Sequence, residues 1–129
     1  MPATNSYAKA EKLKSRKALK ALFTGGKSFA VFPVKVFWMP AAPNSDRPIQ
    51  AGVGVSARHF KKAVDRNRIK RLLRECYRLN KHSLLATLEV KQKKVVAFFL
   101  YVGKELPDYT TLNEKMQQAL TKFEEQIVR

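Results

Sequence analysis

Between Ala63 and Asn80 the sequence reads AVDRNRIKRLLRECYRLN, and six of these eighteen residues are cationic: Arg66, Arg68, Lys70, Arg71, Arg74 and Arg78. The guanidinium group is a planar fork that pairs with phosphate oxygens, stacks on bases and stays charged. Asn67, set among them, can donate and accept a hydrogen bond, which suits a 2′-hydroxyl or a base edge. The chemistry on offer is recognition of a polyanion rather than bond cleavage. Like charges at neighbouring helical positions repel, so a bound partner is the natural compensation.

Groups suited to catalysis are sparse. His59 and His82 have no ligand spacing, Cys76 falls among apolar residues, and the ten carboxylates are scattered. Metal-assisted phosphodiester cleavage calls for convergent acids. No catalytic residue and no metal ligand is therefore assigned to the chain.

The element that must carry the cations is a helix over roughly 63 to 79. With Arg66 at zero and about 100° per residue, Ile69, Leu72, Leu73, Cys76 and Tyr77 fall in one stripe that must be buried. Arg66, Lys70, Arg74, Asn67, Arg78 and Arg71 then run along an adjacent arc, with Arg68 and Glu75 just beyond it. A solvated helix face usually mixes charge signs, and this arc holds no acid.

Upstream, RKALKALFTGG reads as a short helix capped by Ser15 and ended by Gly25 or Gly26. FAVFPVKVFWM reads as one strand, with Phe32, Val34, Val36 and Trp38 facing the core and Lys35 and Phe37 facing away; Pro33 marks an edge or an irregular start. In IQAGVGVSA, Ile49, Ala51, Val53 and Val55 share one face. Gln50, Gly52, Gly54 and Ser56 share the other, which is nearly bare and would admit a ligand or a tightly packed helix. Downstream, a short helix is expected around Ser83 to Glu89, then a strand apolar on both faces, KVVAFFLYV, which belongs inside a sheet. A closing helix follows, with Thr111 and Glu114 at capping-box spacing and a stripe of Leu112, Met116, Leu120, Phe123 and Ile127. The fold class is α+β, a two-layer α/β sandwich in the order α-β-β-α-β-α with a mixed sheet of three to four strands. No linker divides residues 1–129, so a single domain is expected, with residues 1–14 loosely ordered.

Composition agrees with a polyanion partner. The formal net charge is +16 and the hydrophobic fraction 45%, which describes a folded chain in a strong positive field. The charge is uneven: ten bases and two acids lie between Arg58 and Lys81, whereas Glu105 to Arg129 holds five acids and three bases. One cysteine permits no internal disulfide and suits a reducing compartment. The lysines near the N-terminus precede no apolar run, and the longest such run, VVAFFLYV, is far too short to span a bilayer. A cytoplasmic protein without a membrane partner is expected.

DRNRIKRLLRE, preceded by GVGVSARHFKKAV, resembles the signature of the protein subunit of bacterial ribonuclease P, and the resemblance extends over about residues 13 to 128. The family's Arg-Asn-Arg motif is matched by Arg66-Asn67-Arg68, with Ile69, Lys70, Arg71, Leu72 and Arg74 following in register. The short helix ending LFTGGKSF departs slightly, with Leu19 where relatives often carry an aromatic residue. The resemblance implies an α-β sandwich with a left-handed βαβ crossover, and a partnership with ribonuclease P RNA and precursor tRNA. In that partnership the RNA performs the Mg2+-dependent removal of the 5′ leader; the protein alone binds no cofactor and needs no obligate protein partner. It further implies that the basic helix lies on the catalytic RNA. Phe23, Lys35, Phe37 and Ser56 would lie in or beside a cleft for the leader, joined by Gly52 and Gly54 from the bare strand face. Three rivals fit less well. A ribosomal-type structural RNA binder has the same charge and size but would show no leader-dependent effect. A DNA-binding regulator would need a helix, not a strand, before the basic helix. A membrane-surface helix would spend the apolar stripe that the core requires.

Overall fold

The computed structural model describes residues 16–41 and 47–128, with side chains of the first helix from Leu19 onward. The expected Ser15 cap and the segment 1–14 lie outside the described residues. The elements are α1 (Arg16–Gly25), β1 (Lys27–Val31), β2 (Val34–Pro40), β3 (Ile49–Val55), α2 (Ala63–Asn80), α3 (His82–Val90), β4 (Val95–Tyr101) and α4 (Tyr109–Val128). The four strands form one sheet in the order β1-β2-β4-β3. β1 with β2 and β2 with β4 are antiparallel, while β3 and β4 are parallel and are joined through α2 and α3. This is the α+β sandwich with a mixed sheet that the pattern predicts, with β4 inside the sheet as its double-sided apolar run requires.

Two local expectations change. The run FAVFPVKVFWM is a hairpin rather than one strand: Val31 pairs with Val34, leaving Phe32 and Pro33 as the turn, with a cis bond between them. Proline has no N–H to give a ladder, so it serves better at the bend than within a strand. Val34, Val36 and Trp38 are buried as expected, but Phe32, at the tip, is 68% exposed. The closing helix begins before Thr111, because Asp108 caps it: the Thr111 N–H donates to Asp108 Oδ2 (3.2 Å) and the Leu112 N–H to the Asp108 carbonyl (3.1 Å). Hydrogen bonds from the Thr111 side chain and its backbone N–H hold the Asp108 carboxyl below the usual carboxylate range, and its charge suits a helix N-terminus.

The sheet has one face for the core. Phe123 of α4 packs on Phe29 and Trp38, with ring centroids 6.1 and 5.3 Å apart, and Tyr77 of α2 packs on Phe99 at 5.4 Å. Ile69, Leu73, Cys76 and Tyr77 are all fully buried, which fixes the rotation of α2. Among the described residues, the helix that meets the other face is α1. There Leu22 is buried against Val96, with Leu19, Phe37, Met39 and Phe98 around them. α1 comes so close to β2 that a Cβ on Gly26 would sit 2.5 Å from the Leu22 carbonyl oxygen and 3.0 Å from that of Trp38. The remainder of this second face stays partly open.

Candidate nucleic-acid interface

The interface begins where β3 runs out. The Ser56 N–H still bonds the Tyr101 carbonyl at 3.3 Å, and Phe60, buried, rests on the Tyr101 ring at 6.0 Å. These contacts pin the loop that leads into α2. Arg66 pins it further, with Nη1 donating to the carbonyls of Phe60 (2.9 Å) and Lys61 (2.7 Å). Arg66 thus holds the loop in place, a role that its helical position alone does not reveal.

Beyond it, Asn67, Arg68, Arg71 and Arg74 are exposed and Lys70 is half-exposed. None has a side-chain partner among the described residues. An acid just beyond the arc nevertheless reaches it. Glu75 pairs with Arg78 one turn on, and Arg78 Nε donates to Glu75 Oε2 at 3.1 Å. That contact lowers the Glu75 carboxyl and raises the Arg78 guanidinium from their ordinary values. A spacing of three residues brings the two side chains together, so the C-terminal end of the arc is partly neutralised.

The second surface lies on the open sheet face. Phe23, 49% exposed at the end of α1, meets Phe37 of β2 and Phe98 of β4 edge-to-face, with centroids 5.0 and 5.3 Å away. Lys35 Nζ stands 5.0 Å over the Phe37 ring. The structure brings Phe23, Lys35 and Phe37 together and sets Ser56, half-exposed, where β3 leaves the sheet. Gly52 and Gly54 are placed differently from expectation. Both are buried rather than forming an open floor. A Cβ on Gly54 would lie 2.5 Å from Phe98 Cζ, so the space left by the missing side chain is filled by a neighbouring ring. Phe98 therefore supplies the wall that the glycines were expected to leave bare. Its signal was present in the alternation Val96, Phe98, Leu100, which continues the open face across β4.

Cys76 is buried and is presented at neither surface. Burial, with the adjacent Glu75, pushes the Cys76 thiol up to about 11, so it stays protonated at neutral pH and inert. Among the described residues no three His, Cys, Asp or Glu side chains gather as metal ligands, and no helix is long and apolar enough to cross a membrane.

Known proteins share this arrangement. The profile of the Ribonuclease P family matches residues 7–124. The chain belongs to the ribonuclease P protein family. The ribonuclease P protein component of Porphyromonas gingivalis is 38% identical over 122 residues, covering 95% of this chain and 89% of its own. That of Chlorobium phaeobacteroides is 30% identical over 126 residues, covering 90% and 86%. Among solved structures, the RNase P protein of Thermotoga maritima superposes with a TM-score of 0.62 at 27% identity, covering 87% of this chain and 96% of that one. A Staphylococcus aureus RNase P protein gives a TM-score of 0.69 at 19% identity, covering 88% of each chain, a likeness of fold. As the protein component of ribonuclease P, the chain is part of a tRNA 5′-processing ribonucleoprotein enzyme and acts with ribonuclease P RNA.

Proposed function

We propose that the two surfaces divide the work of this subunit: the α2 arc rests on ribonuclease P RNA, and the ring cleft takes the 5′ leader of precursor tRNA. The observation that carries this reading is a helix face whose Arg68, Lys70, Arg71 and Arg74 have no side-chain partner among the described residues, together with a half-open cluster of three aromatic rings on the sheet face away from that helix. Arg68, Lys70, Arg71 and Arg74 are held on a helix whose opposite side is locked in the core, so their charges are preorganised for phosphates. Phe23, Phe37 and Phe98 offer ring edges and faces to an unpaired base, and Lys35 a charge to its phosphate. A single strand fits this cleft better than a duplex, because only an unpaired base can reach the rings.

In this reading the protein contributes binding and orientation, and the RNA holds the Mg2+ that drives hydrolysis. The scattered carboxylates and the protonated Cys76 thiol favour that division. A single cysteine, with no partner in the chain for a disulfide, also suits work in the reducing cytoplasm. The test is the affinity of the assembled particle for precursor tRNA against mature tRNA. Phe37→Ala should lower the preference for the precursor, with about 1–3 kcal/mol at stake for one stacked base. An unchanged preference in Phe37→Ala and Phe23→Ala alike would remove the leader from this cleft.

A further inference from the structure

A second cationic surface lies where β1 and β4 begin, at the end of the sheet away from the start of α2. A cavity of about 470 Å3 opens there, walled by Trp38, Pro40 and Val95 and rimmed by Lys27, Gln92 and Lys94, with no acid among its described lining residues. Lys27 Nζ stands 5.0 Å over the Trp38 ring. Lys93 is committed to the fold, since its Nζ donates to the Ile127 carbonyl near the end of α4 at 2.6 Å.

Gln92 is the residue that the fold does not explain. It follows α3 in the left-handed region, φ 53°. The helix closes around it through the Gln92 N–H to the Glu89 carbonyl (3.1 Å) and the Lys93 N–H to the Leu88 carbonyl (2.9 Å). Glycine is the favoured residue at such a position. The Gln92 side chain makes no hydrogen bond among the described residues, and it borders both this cavity and a neighbouring one of about 510 Å3. Backbone held in a costly conformation, with an uncommitted amide at a cavity mouth, is a feature that accumulates at binding sites. Gln126 stands opposite; its Oε1 accepts from Trp38 Nε1 at 2.8 Å, which leaves its NH2 to donate elsewhere.

The cavity is also close to the ring cleft. β1 is an edge strand, Ser28 pairs with Phe37, and Lys27 pairs with Trp38. The path from ring cluster to cavity is thus one strand across and one residue along, around the sheet edge. The bend that it crosses is bare: a Cβ on Gly25 would meet nothing within 4 Å.

We propose that this cavity is a second subsite for single-stranded RNA, receiving leader nucleotides beyond those held in the ring cleft. Lys27 faces a phosphate, and the amides of Gln92 and Gln126 face a base edge. The inference rests on the ring cleft being the leader site. The charged side chains described in the lining are lysines, which sets the sign of the partner, and the amides at the mouth call for the exposed edge of an unpaired base.

The test uses the full chain assembled with ribonuclease P RNA and precursor tRNAs whose leaders are lengthened one nucleotide at a time. In the parent protein, affinity should rise again once the leader reaches the cavity. Lys27→Glu should flatten that second rise and lower the logarithmic salt slope for long leaders by about 0.7, the value for one phosphate on a single strand. Gln92→Gly should cut affinity for long leaders by about two- to tenfold, one lost hydrogen bond, while melting no lower than the parent. That combination cannot come from damage to the fold. Normal binding of long leaders by both variants, with Phe37→Ala still defective, overturns the subsite and leaves the ring cleft standing. If Phe37→Ala is also normal, the cleft reading fails as well. Equal losses for mature tRNA or for particle assembly assign the cavity to another RNA segment and overturn the proposal.

Discussion

The fit between Gly54 and Phe98 can be tested by adding one carbon atom. In Gly54→Ala the new Cβ would stand 2.5 Å from Phe98 Cζ and 2.9 Å from Cε2. Carbon atoms rest at about 3.5–4.0 Å, so the ring must retreat by roughly 1 Å or more. No glycine among the described residues has a positive φ, so alanine meets no backbone objection at this position and the penalty is steric alone. Overpacking of this kind costs about 1–3 kcal/mol. The lower end is favoured here, because Phe98 is half-buried and can swing toward Phe23. The assay is urea unfolding of Gly54→Ala, Phe98→Ala and the double variant. In the parent background the alanine should destabilise. With the ring gone it should be neutral or slightly stabilising, because the unfolded chain loses freedom. The coupling between the two sites should therefore be about 1 kcal/mol or more. A penalty of the same size in both backgrounds would refute the claim that Gly54 is small in order to seat Phe98. In the assembled particle, Gly54→Ala should also weaken the preference for precursor tRNA, since the displaced ring narrows the cleft.

On α2, Arg68→Ala, Arg71→Ala and Arg74→Ala should each leave thermal unfolding unchanged, while lowering the logarithmic salt slope of binding to ribonuclease P RNA by about 0.9 for each duplex phosphate lost. Arg66→Ala should differ by costing about 1–2 kcal/mol of stability, because the carbonyls of Phe60 and Lys61 lose their charged donor; an unaltered melt would show the loop to be held by Phe60 alone. Glu75→Gln should release Arg78 and steepen the salt dependence of RNA binding, whereas an unchanged slope would mean that Arg78 points away from the RNA. Cys76 should resist thiol reagents in the folded protein at neutral pH. Its folded thiol lies at about 11 against an ordinary value of 9.0, so its contribution is complete below pH 9 and is lost as pH rises toward 11; alkaline unfolding should therefore be delayed in Cys76→Ala relative to its own neutral stability.

The basic helix was legible because its two requirements are written at the same period. Ile69, Leu73, Cys76 and Tyr77 must face one way to be buried, and that orientation alone decides where Arg71 and Arg74 point. What the pattern could not convey was the use each arginine makes of its reach. Arg66 turns back to the loop carbonyls and Arg78 turns to Glu75, contacts that depend on side-chain length and on where the preceding loop passes. The hairpin at Phe32-Pro33 was hidden for a different reason. Both of its arms are rich in β-formers, and although the buried positions change parity across the two-residue turn, from Phe29 to Val34, Val36 and Trp38, the first arm is too short to display its own alternation, so only the proline marked the bend.

The open sheet face makes the same point about function. Alternation placed Lys35 and Phe37 on the same side as Gly52 and Gly54, as the strand register bears out, yet it is blind to which strand lies next to which. Once β4 sits between β2 and β3, its own odd-face residue Phe98 falls beside Phe37 in the ladder and leans over Gly54. A bare stretch on one strand is then a seat for the ring of another, and in the proposed leader cleft the surface offered to RNA is the ring. The glycines act on the cleft through Phe98, which is why a small change at Gly54 should be felt by RNA that never touches it.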